Sequence, residues 1–127
     1  MNNAYAAYKK QSISTLTPME IVVKLYDEAE KQMNLAIIGI EGKNYEAANN
    51  SLKKTQDIVN ALRSVLDMDI ELSKNLDALY DFFNRQLVTA NVKKDVAIIK
   101  ELIRYVRNRL NRACNINSYR MVMIKAF

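Results

Sequence analysis

Gly39, Gly42 and Pro18 are the only glycines and the only proline in a chain of 127 residues. A β-sandwich or barrel needs turn-forming residues about every eight to twelve positions, so this near absence of punctuation excludes a β-rich fold. What such a chain can build is long helices, and its apolar residues recur at the helical spacing of three and four. Thr17-Pro18-Met19-Glu20 reads as a capping box. The threonine oxygen accepts the amide of the third helical residue, Glu20 reaches back, and proline suits the first position, where its missing amide costs nothing. Leu16 and Ile21 can close a hydrophobic staple over it. Val22, Leu25, Ala29, Met33, Ala36 and Ile40 then mark the buried stripe of a first helix that stops at Gly42.

Asn44 is placed to cap a second helix with the stripe Ala48, Leu52, Thr55, Val59, Leu62 and Leu66, widened on one side by Ile58 and Val65. After Asp67-Met68-Asp69, with Asp69 as the candidate cap, Leu72, Leu76, Leu79, Phe83, Leu87 and Ala90 predict a third helix, and residues 91–94 a turn. Val96, Ile99, Ile103, Val106 and Leu110 predict a fourth. Asp95 stands at its positive end, and Arg109 and Arg112 at its negative end. Helices of about 20 residues are ~30 Å long. Joined by short connections, they are expected to form an all-α, antiparallel up-down-up-down four-helix bundle. The expected organisation is one domain: a mobile arm over 1–16, a bundle over 17–113 and a tail over 114–127. In the tail Asn115, Asn117 and Ser118 disfavour helix, but the apolar run that follows leaves room for a short fifth helix. A chain of this length removes roughly two-thirds of its surface from water on folding, so no disulfide or metal is required for stability.

Composition removes much chemistry. Without any histidine there is no Ser-His-Asp triad, no imidazole general base and no imidazole-bound zinc or iron. The single cysteine, Cys114, cannot form an internal disulfide, which suits a reducing compartment, the cytoplasm. The N-terminus has no secretory-signal pattern, and the densest apolar stretch, residues 35–40, is far too short to cross a bilayer. Asp27, Glu28 and Glu30 read as a solvated helix face. Asp77 and Asp81 share a face but fall short of the ligand count a cation needs. No phosphate loop or nucleophile elbow occurs, so neither a catalytic site nor a cofactor is expected.

Two features point to binding instead. Residues 1–92 carry a net charge of −2 and residues 93–127 a net charge of +7. Lys100, Arg104, Arg107 and Arg112 therefore support an alternative reading as a basic helical nucleic-acid-binding or regulatory protein, or one with an acidic protein partner. Tyr5 and Tyr8 lie in the arm, outside any amphipathic stripe, and call for an apolar groove to pack against. Ile58, Val65, Phe82, Ile98, Leu102 and Tyr105 flank the core stripes and are the candidate lining of such a groove, whose natural ligand is an amphipathic helix or an extended segment.

From residue 3 to about residue 113 the chain resembles the flagellin-specific export chaperones of the FliS family. The resemblance is carried, in the family's order, by Ala4-Tyr5-Ala6-Ala7-Tyr8, by Thr17-Pro18-Met19-Glu20 with Leu25-Tyr26, by the stretch 76–80, and by Leu87-Val88-Thr89-Ala90-Asn91. It implies a cytoplasmic bundle that binds the disordered C-terminal segment of flagellin one-to-one and prevents premature polymerisation before type III export. It implies no catalysis, and a contact with the export gate at handover. It also gives Tyr5 and Tyr8 the role of a cap that folds over an apolar pocket and moves aside for flagellin. The chain departs from the family where a tryptophan commonly follows an Arg-Ala run, since Arg112-Ala113 precede Cys114 here. A homo-oligomer is not required by this reading; a bundle that self-associates through the same faces would show a concentration-dependent mass.

Overall fold

A computed structural model describes the backbone over residues 18–113 and the side chains over residues 20–109. The arm with Tyr5 and Tyr8, the Thr17 cap, Leu110, Arg112 and Cys114 fall outside the described side chains. Within these limits the chain is four helices: α1 Pro18–Glu41, α2 Tyr45–Ser64, α3 Glu71–Lys93 and α4 Val96–Ala113. At 1.5 Å per residue they are about 27 to 36 Å long. The connections are short enough to make each neighbour antiparallel. α1 packs on α2 and α4, and α3 packs on α2 and α4, which closes a square four-helix bundle.

The ends of the helices follow local chemistry. Asn44 Oδ1 accepts from the Ala47 amide (3.2 Å) and caps α2, and Asp95 Oδ1 accepts from the Ala97 amide (2.9 Å) to cap α4. Asp69 does not cap α3. Ile70 holds that position without a side-chain bond, and Asp69 instead donates its amide to Asp67 Oδ1. Residues 91–93, expected as a turn, continue α3 until Lys94, whose φ of 50° breaks it. Gly42 follows α1 as expected, yet the left-handed residue is Lys43, with φ 59°. The Asn44 amide reaches back to Gly39 O (2.7 Å) and the Lys43 amide to Ile40 O (3.0 Å), the paired bonds of a Schellman turn.

Four buried stripes meet in one core. Val22, Leu25, Met33, Leu52, Val59, Leu62, Leu66, Leu87 and Ile99 are sealed from solvent, and burying each contributes roughly 1.5–3 kcal/mol relative to exposure. α3 is rotated relative to the expected stripe. Ser73, Leu76, Tyr80, Phe83, Leu87 and Ala90 face inward, Leu79 sits at the edge, and Leu72 is 48% exposed. Ile58 and Val65 are 2% and 1% exposed, so they belong to the core and not to a surface groove.

Polar contacts fix the register. The hydroxyls of Tyr26 and Tyr80, both buried, hydrogen-bond to each other across the bundle diagonal. Along the α2–α3 seam, Asn91 donates to Asn49 (2.7 Å), Asn84 donates to Asn60 (2.9 Å), and Arg63 pairs with Asp77 (2.8 Å). At the opposite corner Arg107 pairs with Glu30 (2.9 Å), tying α4 to α1. α1 and α2 are the most closely joined pair, with Gly39 set directly against the first turn of α2. α3 and α4 are the least closely joined of the adjacent pairs.

Candidate functional site

The loose α3–α4 seam opens as an apolar groove of about 450 Å³, and it collects four of the flanking residues singled out in the sequence. Phe82 stands on one wall at 50% exposure. Ile98 and Tyr105 line the other wall half-buried, and Leu102 forms the floor. Leu79 and Phe83 from α3 complete it, the Phe83 and Tyr105 rings lying 6.2 Å apart at 56°. Helical periodicity explains the set. Leu79, Phe82 and Gln86 fall on the flank of α3 next to its buried stripe, and Ile98, Glu101, Leu102 and Tyr105 on the facing flank of α4. Two flanks turned toward each other without interdigitating leave an elongated trough.

Tyr105 is held in place at its rim. Arg109 donates from Nε to its hydroxyl (2.8 Å), and the guanidinium carbon lies 5.4 Å from the ring centroid. Among the described residues Glu101 is the one charged residue that lines the groove, and it pairs with Arg104 one turn further along α4. With a nearly all-apolar lining, this surface can desolvate the apolar face of a peptide helix or an extended segment. Among the described residues no group of acidic or cysteine side chains is arranged to hold a metal ion.

Leu79 and Phe83 are the groove residues that sequence reasoning assigned to the core stripe instead. Their 3-and-4 spacing is that of a buried face, and the distance between two helices is not written in either helix's period. The reverse error produced Ile58 and Val65. They flank the α2 stripe, but α2 is pressed against α1 and α3, and that flank is covered.

The basic side of α4 has a different character. Lys100, Arg104 and Arg107 are exposed beside a polar depression between α1 and α4 that also includes Asn34, Glu41 and Asn108. Arg107 meets Glu30 and Arg104 meets Glu101, so carboxylates partner two of the three cations. Glu30, expected on a solvated face, is thereby an interhelix contact. Asp77 and Asp81, weighed in the sequence as a cation pair, both face Arg63 instead, at 2.8 and 3.5 Å. The hydrogen bonds that Arg63 donates to Asp77 lead in pushing the Arg63 guanidinium above its ordinary pKa, against the opposing effect of burial.

Comparison with known proteins gives one consistent result. Residues 1–112 match the family described as Flagellar protein FliS. The chain is 39% identical over 106 residues to the flagellar secretion chaperone FliS of Bacillus subtilis (strain 168), covering 84% of this chain and 80% of that one. It is 33% identical to the flagellar secretion chaperone FliS of Vibrio cholerae, covering 84% and 83% of the two chains, and 31% identical to that of Escherichia coli (strain K12), covering 83% and 80%.

Proposed function

Because this chain belongs to the FliS family, we propose that it is an export chaperone whose client is the disordered C-terminal segment of flagellin. It binds that segment one-to-one in the bacterial cytoplasm, blocks premature polymerisation and keeps the client competent for flagellar type III secretion. The observation that carries this reading is the open apolar groove between α3 and α4, with Phe82 half out of it, in a chain of this family. A disordered client that orders on binding gives up chain entropy, so apolar contact must offset several kcal/mol and still leave the complex reversible. A trough rimmed by few charges suits both demands. Tyr5 and Tyr8 are then the cap that yields to the client, and the export gate is the next partner at handover. No helix among the described residues is long and apolar enough to cross a membrane.

The test is calorimetric titration of a synthetic flagellin C-terminal peptide into the full chain at low and high salt. One-to-one binding with a negative heat-capacity change and little salt dependence is expected. Phe82→Asp should weaken it by about 2 kcal/mol or more, roughly thirtyfold in Kd, because a central aromatic anchor is replaced by a charge. Since Phe82 is half exposed, the variant should fold as well as the parent. Absence of binding at micromolar concentration would remove flagellin as the client. Binding that collapses with salt would move the site to Lys100, Arg104 and Arg107.

A further inference from the structure

We propose that the α3–α4 groove has a second, deeper compartment for one bulky aliphatic side chain of the client, and that the Tyr105 ring is the leaf that closes it, held shut by Arg109. The inference rests on the reading of the groove as the client site. Behind the groove, on the axis of the bundle, lies a void of about 10 Å³, barely the space of one water. All four helices contribute to it, with Ala29 from α1, Val59 and Leu62 from α2, Phe83 from α3 and Val106 from α4 around it. Among the described residues only apolar atoms face it, since the Tyr26 and Tyr80 hydroxyls beside it are turned to each other. A water needs at least about two polar partners, so the void is dry.

Groove and void share two lining residues, Phe83 and Tyr105, so their rings are the partition between the two spaces. Phe83 is 4% exposed and set in the core, whereas Tyr105 stands half-buried at the edge and is the one free to move. An aromatic side chain on a helix has about two χ1 wells open to it, which gives Tyr105 a single discrete alternative. Arg109, one turn along the same helix, holds the ring where it is, through Nε to the hydroxyl (2.8 Å) and through the guanidinium over the ring (5.4 Å). The catch belongs to α4 alone and works at any width of the seam. With the ring turned out, its own volume joins the void and opens to the groove beside Leu102. That space suits a side chain such as leucine, isoleucine or methionine, because a lining without polar atoms leaves a hydroxyl, amide or charge unpaired. Opening gives up the Arg109 contacts, so the shut form dominates in the free chain and lowers the apparent affinity of every client.

The experiment reads the full chain first alone and then with client. Three-bond couplings across χ1 of Tyr105 are measured, and methyl shifts are followed under xenon pressure, xenon standing in for an apolar side chain. The parent should show one rotamer and xenon shifts confined to Ile98 and Leu102. Arg109→Met, which keeps length without donor or charge, should average the couplings and extend the xenon shifts to Val59, Leu62 and Val106. Arg109→Lys, which keeps the cation, should move back toward the parent pattern. A flagellin C-terminal peptide should bind Arg109→Met about threefold or more tighter than the parent, because the open form no longer has to be selected. An arginine that only braced the wall would weaken binding when removed. One peptide side chain should show nuclear Overhauser contacts to the methyls of Val59, Leu62 and Val106. Unchanged couplings and xenon shifts in Arg109→Met overturn the gate, and so does a parent that already shows the open pattern. Peptide binding no tighter in Arg109→Met, or contacts that stop at Ile98 and Leu102, overturns the compartment and leaves the groove as the client site. Absence of peptide binding to either chain overturns the client reading and the client's compartment with it, while the couplings and xenon shifts of the free chain still decide whether the gate exists.

Discussion

Adding even one carbon at Gly39 should cost stability. A Cβ built there lies 3.0 Å from the Ala48 backbone nitrogen, 3.0 Å from the Asn44 carbonyl oxygen and 3.2 Å from the Ala48 Cβ. Two of these atoms are backbone in the capped first turn of α2, so no rotamer change relieves the contact and α1 must move away from α2. Overpacking of this kind costs about 1–3 kcal/mol. Against it stands the helix-propensity gain of Gly→Ala, about 1 kcal/mol. At the middle of the overpacking range Gly39→Ala loses about 1 kcal/mol net, and more if the loosened turn also weakens the Asn44 cap. Gly42→Ala is the control, because its added Cβ meets only Ile38 O at 3.3 Å in an exposed turn without positive φ. Urea unfolding followed by circular dichroism should place the Gly39→Ala midpoint roughly 0.5 M below the parent, at an m-value near 2 kcal/mol/M, and leave Gly42→Ala within about 0.2 M. A Gly39→Ala chain more stable than the parent, by the full helix-propensity gain of about 1 kcal/mol, would refute the close approach of α1 and α2 at this point. Flagellin-peptide affinity at low temperature should be unchanged, because the groove lies on the far seam.

Lys43→Gly should raise stability by about 0.5–1 kcal/mol, measured by the same unfolding curves, since φ 59° suits glycine and strains lysine. Lys94→Gly should gain less despite φ 50°, because Lys94 Nζ bonds both Asn91 O and Asn91 Oδ1. Tyr26→Phe and Tyr80→Phe should be non-additive, with a coupling of about 1 kcal/mol in a double-mutant cycle; additive losses would mean the hydroxyl pair is not formed. Stability should be flat from about pH 6 to pH 8. The chain has no histidine, and the raised Arg63 pKa contributes stability that is fully present below the ordinary arginine range and lost only as pH rises above it. A slope in the urea midpoint across that interval would point to a titrating group outside the described residues.

How far the sequence carried the fold depended on whether a feature was local. The four helices, the Asn44 cap and the aspartate at the start of α4 are set by residues within one turn of each other, and all were legible. Asp69 failed as a cap because the chain does not enter α3 until after Ile70, which leaves Asp69 one residue before the cap position. The α3 stripe was misread because counting leucines as core and tyrosine as edge favours Leu72 over Tyr80. The actual choice was made by the partner hydroxyl of Tyr26, on another helix. The left-handed residue after α1 fell on Lys43 because two backbone bonds to Ile40 and Gly39 close there, and a glycine one position earlier does not move them. The groove was half legible. Phe82, Ile98, Leu102 and Tyr105 were named from their flanking positions, but which flanks stay open depends on how far apart two helices stand.

The interhelical hydrogen bonds described above lie along α2–α3, at the α1–α4 corner and across the Tyr26–Tyr80 diagonal, and none of them crosses the α3–α4 seam. That seam works as an expansion joint. Widening it to admit a guest segment would exchange apolar contacts for apolar contacts and leave those bonds intact, so the host need not partly unfold to be loaded. On unloading, release would be governed by how readily the guest's apolar face finds another surface.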